Sequence, residues 1–182
     1  MLSSAPMRGP LLSGALGSAA ALEALLRWVR KDQPAVVLGP LWLGETLAAE
    51  LPILMLVATD DHAAVRRARR RAQRAGRPLE IAVGGGELPL GASSVATIVA
   101  ENVAGLDAAA AAGWIASLAA CLRPGGRLVA ADATGSSSAM ARVAGTFLGA
   151  ALTGITQEQP RDGVLLTVGE APDARIQAAR FG

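Results

Sequence analysis

Tyrosine is absent, and aromatic residues make up only 3% of the 182-residue chain, with Phe 2 and Trp 3. Stacking of single-stranded nucleic acid needs aromatic platforms, so that binding class loses its main support. Cys121 is the one cysteine, which excludes an intrachain disulfide and a cysteine zinc site. His62 is the one histidine. A two-histidine metal site is therefore excluded, and a Ser-His-Asp arrangement would have to use His62. Lys31 is the only lysine among 17 basic residues, and 15 acidic ones leave a net charge of +2. That balance gives no general attraction to nucleic acid or acidic membranes.

What is abundant is apolar. Hydrophobic residues are 52% and charged residues 18%, which is not a disordered composition. A mean hydropathy of +0.39 requires deep burial or an apolar surface offered to a partner. The length suits one domain. Two stretches test the membrane alternative. Leu11 to Leu26 resembles a short leader core, but Glu23 interrupts it and Arg27, Arg30 and Lys31 follow. Val103 to Leu122 is long enough to span, yet it is rich in weakly apolar alanine and carries Asp107, which fits a buried helix better. A soluble chain in the reducing cytoplasm is the expectation.

Apolar spacing predicts a helix from Leu16 to Arg30, with Leu22, Leu25, Leu26 and Val29 on one face. Short, largely apolar runs at 35–38, 53–58, 79–83, 95–100 and 127–131 read as buried strands. Helices are expected between them at 42–51, 62–75, 107–122 and 136–152. Proline or glycine closes several, and Thr59-Asp60-Asp61 and Asp107 offer N-cap oxygens. Ile155 to Gln159 and Val164 to Val168 flank Pro160-Arg161-Asp162-Gly163, a hairpin signal. This order predicts a doubly wound, mostly parallel Rossmann-like α/β sheet with a C-terminal antiparallel hairpin. Residues 1–15 are expected to be a loosely held N-terminus, 16–172 the domain and 173–182 a tail.

Leu122-Arg123-Pro124-Gly125-Gly126-Arg127-Leu128 resembles the turn that leads into the fifth strand of class I S-adenosylmethionine-dependent methyltransferases. Leu88-Pro89-Leu90 and Ser93 to Val99 resemble the segment before that family's fourth strand. Gly154-Ile155 and Asp162-Gly163-Val164 resemble its closing strands. The similarity runs over nearly the whole chain after residue 33.

The family's cofactor motifs are matched poorly. Its first motif is a strand ending in an acidic residue, then three alternating glycines that let the chain's backbone approach the methionine part of the cofactor. Here the run is Val36-Val37-Leu38-Gly39-Pro40-Leu41-Trp42-Leu43-Gly44. Gly39 matches the first glycine, Leu41 and Leu43 fall on the others, and Val37 stands at the acidic position. Gly44, one place late, takes the last glycine's role if the loop has shifted. The ribose-binding acid falls on Thr59, with Asp60 one step away. The adenine-facing acid falls in Gly84-Gly85-Gly86, with Glu87 nearest. The resemblance thus implies Gly39, Gly44, Asp60 and Glu87 as cofactor contacts. Leu41, Trp42 and Leu43 are expected to stand in the cofactor's space, each adding roughly 1.5–3 kcal/mol of burial to the fold instead.

Two functions remain. One is a degenerate, non-catalytic methyltransferase-like subunit or scaffold, homo-oligomeric or bound to a protein partner. The other is an active S-adenosylmethionine-dependent methyltransferase on a small molecule, working by in-line transfer with a positioned base. In the second, Glu101 after the fourth strand is the candidate proton acceptor; otherwise it caps the next helix. His62 reads as a general base or an exposed first-turn residue, and Cys121 as an inert buried thiol. Arg66, Arg67, Arg69, Arg70, Arg71, Arg74 and Arg77 crowd positions 66–77, with like-charge i,i+4 pairs among them. They form either a solvated outer face or, through Arg66, Arg67, Arg70, Arg71 and Arg74, a seat for an acidic partner or a phosphate-bearing ligand. Two small-residue helices, 105–120 and 143–152, offer either ordinary packing or close contact with another chain.

Overall fold

The computed structural model describes residues 18–57, 61–83, 90–133, 136–161 and 163–173. The expected loose N-terminus and nearly all of the tail lie outside these residues. Helices are α1 (Ala19–Trp28), α2 (Leu41–Leu47), α3 (His62–Arg74), α4 (Ala108–Cys121) and α5 (Ser137–Gly149). Strands are β1 (Ala35–Leu38), β2 (Ile53–Val57), β3 (Leu79–Val83), β4 (Val95–Glu101), β5 (Leu122–Asp132), β6 (Thr153–Arg161) and β7 (Val164–Glu170). They form one sheet in the order β3-β2-β1-β4-β5-β7-β6. Neighbours from β3 to β5 run parallel, and β7 runs antiparallel to both β5 and β6. The doubly wound sheet and its terminal hairpin follow the sequence expectation.

Strand alternation divides the core into two layers. Val37, Met55, Val99 and Val129 face α1, α2 and α3, whereas Val36, Ile98 and Leu128 face α4 and α5. Both faces of the sheet are covered, which is why its central strands read as largely apolar runs. Ser18, Asp61, Asp107 and Ser136 each accept a backbone N–H from the first turn of the helix they precede. No described helix is long and apolar enough to cross a membrane.

Several element boundaries differ from expectation, among them those of α2 and β5. α2 ends at Leu47 rather than Leu51, because Ala49 and Glu50 donate to the carbonyls three residues back and tighten the last turn. The Pro-Gly-Gly segment is not a separate turn before β5 but a bulge within it. β4 advances from Val95 to Thr97 while β5 advances from Leu122 to Arg127. Gly125 holds φ +69 there, and a Cβ on Gly126 would stand 2.8 Å from the Arg123 carbonyl and 2.9 Å from that of Val95. The two glycines are needed for different reasons, one conformational and one steric.

α1 comes first in the chain but packs on the last strands. Trp28 Nε1 donates to Glu158 at 3.2 Å, Arg27 pairs with the same carboxylate, and Arg30 donates to the Gly125 carbonyl. Arg127, held by Glu170 at 2.7 Å, lies 6.0 Å from the Trp28 ring centroid.

Candidate functional site

The strand order turns back on itself at β1 and β4. In an open α/β sheet the crevice beyond the carboxyl ends of those strands is the natural ligand site. Gly39 follows β1 there, Glu101 ends β4, and Asp132 ends the neighbouring β5.

Glu101 lies across Gly39. A Cβ placed on Gly39 would meet Glu101 Cβ and Oε2, each at 3.2 Å. Glycine at this position therefore makes room for a side chain of the same protein. Burial, reinforced by the nearby charge of Asp132, pushes the Glu101 carboxyl up to about 7. Glu101 does not cap the next helix; Asp107 does, accepting from the Ala110 amide at 2.8 Å.

Asp132 was missed in the sequence reading. The signal was an apolar strand, Leu128 to Ala131, ending in an acid beside Glu101's strand. Its side chain is fully buried. Oδ1 accepts from the Ala104 amide at 2.6 Å, while Oδ2 has no hydrogen-bond partner. Burial raises the Asp132 carboxyl to about 6, against the opposing pull of the Ala104 and Val103 amides and of Arg142. Arg142 spends its hydrogen bonds on the carbonyls of Ala104 and Leu106. Asp132 and Arg142 together clamp the 3-10 turn Val103–Gly105, entered through Asn102 at φ +62. Asn102 donates its backbone N–H to Ala131 at 3.0 Å, tying the turn to β5.

Gly44 lies elsewhere. It is a buried residue of α2, and a Cβ on it would overlap Met55 Sδ of β2. It supports close helix-to-strand packing, as the last glycine of a dinucleotide motif does, and touches the sheet rather than the crevice. Leu43, expected in the cofactor's space, is fully buried in the core beneath α2. This corrects that expectation for Leu43, because the helical turn rotates it inward. Leu41 and Trp42 are half-buried and pack on the same core layer. Thr59, Asp60, Gly84, Gly85, Gly86 and Glu87 lie outside the described residues.

His62 is an exposed first residue of α3. Cys121 is buried against the Ser117 carbonyl, and burial pushes its thiol up, away from the reactive thiolate. The arginine helix is partly neutralised from outside its own stretch. Arg71 forms a two-pronged pair with Glu45 at 2.8 and 2.9 Å, and Arg67 lies 3.7 Å from Asp61. Arg69 donates to the Ile81 carbonyl and Arg77 to that of Glu45. Arg66, Arg70 and Arg74 remain as an exposed i,i+4 stripe.

No protein-family model matches the chain, and no curated protein is similar to it in sequence. Solved structures are similar in fold. The protein complexed with the Haloferax volcanii Trm112 methyltransferase activator superposes with TM-score 0.69 at 20% identity, over 84% of this chain and 88% of that one. PigF, solved with SAH, gives 0.63 at 13% identity over 80% of this chain, and the S-adenosylmethionine-dependent methyltransferase SibL gives 0.61 at 13% over 94%. The chain spans 52% of the length of PigF and 61% of SibL. Strand order, the terminal antiparallel pair and these neighbours together make the architecture a methyltransferase-like Rossmann fold.

Proposed function

We propose that this chain keeps the methyltransferase scaffold without the reaction and serves as a subunit or scaffold in a protein complex. The observation that supports this most directly is Glu101 lying over Gly39, where the family's cradle has to stay open for the cofactor. Leu41 at the second glycine position points the same way. A protein partner is supported by the similar Haloferax volcanii complex, in which a methyltransferase activator is bound. The stripe of Arg66, Arg70 and Arg74 suits an acidic partner surface. A lone thiol held as an inert core group suits a reducing cytoplasm.

Calorimetric titration with S-adenosylmethionine tests the reading. Silence at millimolar ligand is expected. Glu101→Ala, which clears the space above Gly39, should gain binding if that side chain is the obstacle. Micromolar binding by the unaltered chain would overturn the proposal in favour of an active small-molecule methyltransferase. One observation favours that second reading: a carboxyl raised to about 7 at the crevice is suited to accept a proton near neutral pH. In that case Gly39 would approach the cofactor, Glu101 would serve as the base, and Asp60 and Glu87 would be the nearest acids for ribose and adenine.

A further inference from the structure

α3 carries arginines in abundance and no acidic residue of its own. The arginines fall into two groups. Those on the flanks are engaged by the fold. Arg69 donates to the Ile81 carbonyl of β3, and on the other side Arg71 grips Glu45 of α2 with two nitrogens, at 2.8 and 2.9 Å. The second group, Arg66, Arg70 and Arg74, lies exposed on the side opposite the buried Val65, Ala68 and Ala72. Among the described residues none of these three has an ion pair. Like charges four residues apart repel, so the row weakens the isolated helix and does nothing for the core.

The row is also short and bounded. Four helical residues advance about 6 Å, so three guanidinium groups repeat over about 12 Å. Asp61 stands at the helix start, and Glu45 lies on the α2 flank. A nucleic acid strand would run on past such a patch, and its affinity needs many phosphate contacts, which a net charge of +2 does not provide. A short acidic segment of protein fits. A helix with a carboxylate at every fourth position has the same pitch as the arginine row. The Arg71–Glu45 pair already shows an acid of one helix held by the guanidinium fork of another.

We infer that the outer face of α3 docks an acidic helix of a protein partner, whose carboxylates meet Arg66, Arg70 and Arg74 in turn. Docking turns three repelling cations into three paired ones. The inference rests on the subunit reading and adds the chemistry of the partner to it. The two fail separately. S-adenosylmethionine binding overturns the subunit reading, whereas a peptide that does not bind to a chain silent toward S-adenosylmethionine overturns this inference alone.

The probe is a capped helical peptide of alanine and glutamine with three glutamates spaced four residues apart. Its isomer, with the glutamates five residues apart, has the same charge scattered around the helix. A duplex DNA oligonucleotide is the third ligand. Each is titrated at low salt into the 15N-labelled full chain and followed by amide shifts. The expected result is saturable shifts from Arg66 to Arg74 with the first peptide, at millimolar affinity and abolished by high salt. Arg70→Gln should weaken that affinity about fivefold, as loss of one well-formed ion pair does. Arg74→Gln should act in the same direction. The inference is overturned by absence of saturable shifts, by equal affinity for the isomer, by tighter binding of the DNA, or by unchanged affinity in both variants.

Discussion

Gly44 of α2 and Met55 of β2 are in direct apposition, so close that a single added methyl group on the glycine would collide with the thioether. Both residues are buried, Met55 completely. The glycine that aligns one place late against the cofactor motif is thus explained by packing between a helix and a strand.

Gly44→Ala should destabilise the chain by about 1–3 kcal/mol, the usual range for overpacking a core. Pairing it with Met55→Ala should relieve the collision, so the double variant should be more stable than the sum of the single losses. Denaturant unfolding of the four proteins measures the coupling. Strict additivity would show that the two residues do not meet.

In the Pro-Gly-Gly bulge the two glycines should behave differently. Gly125→Ala should cost about 1 kcal/mol, the strain of a side chain at positive φ. Gly126→Ala should cost about 3 kcal/mol, because its Cβ meets backbone carbonyls that cannot rotate away. Thermal unfolding of the two variants should rank them in that order.

The crevice acids make stability depend on pH. A carboxyl raised by folding holds its proton more tightly in the folded chain than in the unfolded one. Its contribution is therefore full below about pH 4 and is lost as the pH climbs through about 6 for Asp132 and about 7 for Glu101. For the buried Asp132 the change is on the order of 2–3 kcal/mol. Asp132→Asn should gain stability relative to the parent between pH 4 and pH 7.5. A constant difference across that window, measured by melting temperature, would contradict the assignment.

Arg70 stands between Arg66 and Arg74 on the exposed stripe of α3. Arg70→Glu should exchange two repulsive i,i+4 pairs for two attractive ones, a gain of about 1–2 kcal/mol. The same change should weaken binding to an acidic partner. A variant that is more stable alone but captures its partner less well would identify the stripe as a docking surface.

Much of the architecture was legible because the sheet is buried on both faces. Runs such as Val36-Val37-Leu38 and Ile98-Val99-Ala100 have no other use, and Asp61 and Asp107 mark helix starts by local hydrogen bonding. The candidate site was less legible, because its parts come together only through strand order. Glu101 was singled out by its place after an apolar strand. Asp132 was not, although it ends the next strand at the same edge. The inward turn of Leu43 was also hidden, since it depends on α2 beginning at Leu41, one residue earlier than its spacing suggested. The expected ribose and adenine contacts, Asp60 and Glu87, fall outside the described residues.

The bond from Arg27 to Glu158 joins residues 131 positions apart. During synthesis, α1 leaves the ribosome long before the strands that receive it. Its apolar side, including Ala21, Ala24 and Leu25, lacks part of its berth until β6 and β7 emerge. A nascent chain arrested before Thr153 should therefore expose α1 to protease and chaperone, and release of the final hairpin should be the event that closes the molecule.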